Sequence, residues 1–127
     1  MAAGMKRTLA IGYDAALERL PEALAGEGFG VLTRIDVRDT LKAKLGVDVR
    51  RYQILGACNP PLAHRALSAE PDIGVMLPCN VAVYEEGEHA VVVAVDPLET
   101  IAAGNAALRP IAEDVRARLV RVLDRLA

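Results

Sequence analysis

The sequence predicts an α+β fold: a mostly antiparallel, five-stranded sheet with helices packed on one face. Three observations carry this. The elements read strand, helix, three or four strands joined by small helices, then one long helix. That order lacks the regular strand–helix alternation of a doubly wound parallel sheet. No Gly-rich phosphate loop follows the first strand, which a dinucleotide-binding fold would require. Finally, Leu108, Ile111, Val115, Leu119, Val122 and Leu126 are spaced 3, 4, 4, 3 and 4, one apolar stripe along a long helix.

Taken in order, Lys6 to Ile11 is short and mostly apolar and reads as the first strand. Asp14 can cap a helix running to Ala25, with Leu17, Leu20 and Leu24 on one side and Gly26 and Gly28 ending it. Pro21 inside it predicts a kink or a late start. Phe29 to Val37 reads as a half-buried strand, with Val31, Thr33, Ile35 and Val37 sharing a face. Asp39 to Leu45 is a short helix capped by Asp39 and stopped by Gly46. Tyr52 to Ala57 is uncharged and reads as a central strand.

Asn59-Pro60-Pro61 is a strong helix start, and the helix reaches Ala69 with Leu62, Ala66 and Leu67 inward. Ile73 to Glu85 reads as a long strand disturbed at Pro78, because proline cannot donate to a ladder. Glu86-Gly87 signals a hairpin into His89 to Val95. Asp96-Pro97-Leu98-Glu99 predicts a short capped helix to Ala103, before a break at Gly104-Asn105. The last helix spans Leu108 to Leu126. Arg116, Arg118, Arg121 and Arg125 lie off its stripe and, with Glu113, Asp114 and Asp124, read as a solvated face.

The length of 127 residues fits one domain, 1–127. With 53% hydrophobic residues but only 3% aromatic, the core must be aliphatic. A net charge of −2 and few aromatics argue against a nucleic-acid partner. No run is long and apolar enough for a membrane partner, and the N-terminus lacks a signal-peptide pattern. The expected location is cytoplasmic, where cysteines are free thiols, ligands or redox groups more often than staples.

The chemistry concentrates between Tyr52 and Tyr84, in two Cys-Asn pairs: Cys58-Asn59 and Cys79-Asn80. Cys58 directly precedes a helix N-terminus, where unpaired N–H groups and the dipole stabilise a thiolate. Cys79 follows Pro78. If the two strands are neighbours, the pairs converge at one end of the sheet. The candidate ligand-binding residues are therefore Cys58, Asn59, Cys79 and Asn80. Two sulfurs fall short of the four ligands of a structural zinc site, and no spacing requires His64 or His89 to complete one, so no metal is assigned.

The phrases ILGACNPPLAHRAL and GVMLPCNVAVYEEG resemble the bacterial and archaeal family known as domain of unknown function 302. The resemblance extends over about Met5 to Leu126 and matches Cys58, Asn59 and Pro60, then Pro78, Cys79 and Asn80. It implies a fold like that of the TATA-binding protein, one strand, a helix, four strands and a second main helix, without implying DNA binding. It implies no established activity, cofactor or catalytic residue. Some members resemble sulfur-handling proteins in genomic company, which makes thiol chemistry a lead.

Three functions follow as expectations. The first is a protein that binds a small or sulfur-containing ligand, or a soft metal, at the Cys-Asn pairs. The second is a thiol redox or sulfur-transfer enzyme with Cys58 as nucleophile and Cys79 as resolving thiol. The third is a non-catalytic homodimeric interaction module with both cysteines in its core.

Overall fold

In the computed structural model, which describes residues 4–127, five strands form one sheet. They are β1 (Gly4–Thr8), β2 (Gly30–Asp36), β3 (Tyr52–Cys58), β4 (Cys79–Glu86) and β5 (His89–Val95). The order is β1-β5-β4-β3-β2 and every pair is antiparallel. Among the described residues there are four α-helices, α1 (Tyr13–Ala25), α2 (Val37–Leu45), α3 (Pro60–Ala69) and α4 (Arg109–Leu126), and two short 3-10 helices. The α+β class and the antiparallel five-stranded sheet are those expected.

The apolar stripe of α4 and the leucines of α1 close one face of the sheet. Leu20, Leu24, Leu119 and Leu123 are fully buried with Leu55, Val81, Val83 and Val92 in one cluster. Each such side chain contributes about 1.5–3 kcal/mol by leaving water. Pro21 lies within α1, which nevertheless starts at Tyr13, capped by Gly12 rather than Asp14. The Gly87-Glu88 connection between β4 and β5 works because Gly87 takes φ of +60°.

The helices are not all on that face. Helix α2 buries no side chain. Its Val37 and Leu41 share a shallow depression with Tyr52 and Tyr84, cross-strand partners whose rings stack at 5.4 Å. Those tyrosines alternate with the buried Leu55 and Val83, so they stand on the sheet's other face. The cap of α2 is Asp36, whose Oδ1 accepts from the Asp39 N–H at 2.9 Å, so Asp39 is inside the first turn instead.

Three local expectations are corrected. A bulge between Val31 and Thr33 inserts Leu32, so Val31 pairs with Ala57 while Thr33 and Ile35 pair with Gly56 and Ile54. One extra residue moves everything beyond it to the opposite face, and Ile35 is 47% exposed. Pro71–Met76 is a 3-10 helix, not strand, and the ladder starts at Cys79. Pro71 opens that turn, and Pro78 cannot donate to the sheet. Residues 97–104 are turns rather than helix. There Asp96 Oδ1 accepts from the Leu98 N–H at 3.0 Å, two residues on, closing an Asx turn where a capping box would reach the third.

Candidate functional site

Strands β3 and β4 end together. Ala57 pairs with Cys79 and Gly56 with Asn80, which places Cys58 one residue beyond the Ala57–Cys79 pair. Both cysteines line one apolar cleft of about 310 Å³, walled by Phe29, Leu62, Ala66, Leu77, Ile111 and Val115 among others. Leu32 and Leu67 also line it while remaining 66% and 41% exposed, so they form its mouth. The outward position of Leu32 comes from the β2 bulge, and Leu67 is not the inward residue the helix pattern suggests.

Three of the four candidate residues meet there. Cys58 is partly exposed, while Cys79 is 5% exposed and Asn59 7%. Asn80 lines no part of the cleft; it alternates with Cys79 and is exposed. Both cysteines are free thiols. Burial pushes the Cys79 thiol up to about 11, and the neighbouring Cys58 adds to the shift. A low-dielectric wall disfavours the charged form, so Cys79 is a neutral thiol at neutral pH. His64 is exposed, and His89 is held structurally, its Nδ1 3.0 Å from the Leu9 carbonyl. Among the described residues no three His, Cys, Asp or Glu side chains converge well enough to hold a metal ion.

Asn59 does cap α3, its Oδ1 accepting from the Leu62 N–H at 3.4 Å. The first turn of α3 nevertheless offers Cys58 fewer free N–H donors than expected of a helix start. Pro60 and Pro61 have no N–H, Leu62 donates to Asn59 Oδ1, and Ala63 donates to the Asn59 carbonyl at 2.9 Å. Three of the four donors that a helix start leaves without an intrahelical partner, those of residues 60–62, are thereby removed or used, and the Ala63 bond is the first regular one of the helix.

A second network braces this corner. Asn59 Nδ2 donates to the Glu27 carbonyl at 3.3 Å, and Arg118 donates to the same oxygen at 3.1 Å. The Glu27 carboxylate accepts from Arg121 and Arg125, each at 2.7 Å. Those contacts, the Arg121 hydrogen bond first, hold its carboxyl below the usual range. Gly28 follows at φ +84°, where a Cβ would stand 2.9 Å from Asn59 Nδ2. So part of the arginine series on α4 is not a solvated face. The signal was present in the sequence: Arg118, Arg121 and Arg125 stand at spacings of three and four, on one side of the helix.

Gly56 lets β3 pass close to Pro78, the residue before Cys79. A Cβ there would meet Thr33 Oγ1 and stand 2.7 Å from the Pro78 ring. Gly56→Ala should therefore cost about 1–3 kcal/mol in urea unfolding, the range for overpacking. An unchanged midpoint would show that Pro78 does not lean on β3.

The family model for "Domain of unknown function DUF302" matches residues 5–126. A crystal structure of an uncharacterized conserved protein DUF302 from Bacillus stearothermophilus is 33% identical, covers 100% of both chains and superposes with a TM-score of 0.92. No curated protein matches the chain.

Proposed function

The chain belongs to the DUF302 family, and we propose that it binds a small apolar molecule in the cleft beside Cys58 and Cys79. One observation supports this above the rest: an apolar cleft of about 310 Å³ stays open to water at a mouth formed by Leu32 and Leu67. Filling it would remove apolar surface from water at no polar cost, since the Asn59 side chain is already hydrogen-bonded. At about 30 Å³ for each water-sized group, it holds about ten non-hydrogen atoms. Soft, polarizable sulfurs in its wall suit an alkyl or thioether group. Two free thiols also fit a reducing, cytoplasmic setting.

Calorimetric titration with n-octanol, against n-butanol as the short control, tests this alongside maleimide labelling read by mass spectrometry. Cys58 should label in the folded protein and Cys79 only after unfolding. Saturating n-octanol should slow Cys58 labelling at least tenfold. Equal labelling with and without n-octanol would refute the reading.

A thiol redox or sulfur-transfer enzyme is the second reading, favoured by the lining of one cleft by both sulfurs. The raised pKa of Cys79 and the two prolines that remove donors from the start of α3 weigh against it.

A further inference from the structure

At the opposite end of β3 lies a second cleft with different chemistry, about 290 Å³ in volume. The first turn of α1 supplies Tyr13 and Asp14, the β2–α2 junction Asp36, Arg38 and Asp39, and the start of β3 Arg51 and Gln53. Its frame is fixed by Arg51. That guanidinium donates to both Asp14 oxygens at 3.0 and 3.1 Å and to Glu85 Oε2 at 3.2 and 2.6 Å. It also lies over the Tyr13 ring at 4.6 Å from the centroid.

Polar groups are left over inside this frame. Tyr13 lines the cleft and is 5% exposed. Gln53 Oε1 is buried without a partner. Asp36 uses Oδ1 to cap α2, and its second oxygen accepts nothing from the described residues. Buried polar groups are almost always paired, so the unpaired Gln53 oxygen at the wall of this cleft points to an absent partner. Burial, then the charge of Asp36, raises the Tyr13 pKa and keeps the phenol neutral. Three carboxylates line the cleft against two guanidiniums, one of which also serves Glu85. The cleft is therefore net negative.

We infer that this cleft binds a small organic cation with several N–H groups, a primary ammonium, donating to Asp36, Gln53 and the Tyr13 oxygen. A metal ion fits less well, because no three acidic side chains among the described residues converge on one point. A quaternary ammonium has the charge without the donors, which separates recognition from attraction.

Calorimetric titration with n-butylammonium chloride and with butyltrimethylammonium chloride, at ionic strength matched with sodium chloride, tests the inference. The primary ammonium should bind at least tenfold more tightly than the quaternary one. Gln53→Leu should lose at least tenfold in n-butylammonium affinity and Tyr13→Phe severalfold. Absence of n-butylammonium binding, equal affinity for both cations, or full affinity in Gln53→Leu would each overturn it. If Gln53→Leu does not fold, the comparison of the two cations on the native chain decides alone.

Discussion

Leu119→Ala should lower the stability of the folded chain by about 2–5 kcal/mol, the range for truncating a buried leucine. Leu119 has no exposed surface and belongs to the same cluster as Leu20 and Leu24 of α1 and Val83 and Val92 of the sheet. The loss has two parts: transfer of the removed carbons, and the void left where two helices and a sheet cannot collapse together. Urea unfolding followed by circular dichroism would measure it. Leu45→Ala is the matched control, since Leu45 is 69% exposed and such a surface change stays within about 0.5 kcal/mol. A Leu119→Ala cost under about 1 kcal/mol would mean that the layer formed by α1 and α4 is not the stabilising core.

Ala63→Phe should abolish apolar binding while leaving the fold intact. Ala63 is half-buried on α3 and lines the cleft beside Cys58. A phenyl ring there would take up space that the ligand needs. At least a tenfold loss of n-octanol affinity is expected, equivalent to about 1.4 kcal/mol. Its urea midpoint should move little, because the ring enters open space rather than packed core. Unchanged affinity in a folded Ala63→Phe variant would move the ligand elsewhere on the protein.

Much of this was legible before any coordinates. Strand β5 is legible at both ends because four of its seven residues are valine and two alanine, bounded by a Glu-Gly turn and an Asp-Pro. Helix α3 was legible because Asn at the cap and Pro after it leave the backbone few alternatives. Convergence of the two Cys-Asn pairs was conditional on neighbouring strands; β3 does pair with β4, and Cys58, Asn59 and Cys79 line one cleft while Asn80 does not.

What was missed depends on geometry that no short window contains. The bulge at Leu32 is invisible to a period-two reading, which assumes an unbroken register. Leu67 looked inward by helical phase, but the inward direction depends on where the neighbouring 3-10 segment lies. The thiolate proposal for Cys58 treated any helix start as rich in donors. Two successive prolines remove two of those donors here, which is readable from Pro60-Pro61 itself. The Glu27 clasp and the polar cleft join residues far apart in the chain, such as Glu27 with Arg121 and Tyr13 with Gln53. Only the tertiary fold brings such pairs together.

The strand order has a consequence for how the protein comes into being. Strand β1, made first, pairs with β5: Gly4 lies opposite Val95 and Thr8 opposite Val91. Helix α1 likewise packs against α4, at the far end of the chain. Such non-local closure slows folding, because the loop entropy is lost before its contacts are gained. On the ribosome the central hairpin of β4 and β5 can form as soon as it emerges. The first strand must wait for β5, and the first helix, part of its apolar face uncovered, until α4 has been synthesised.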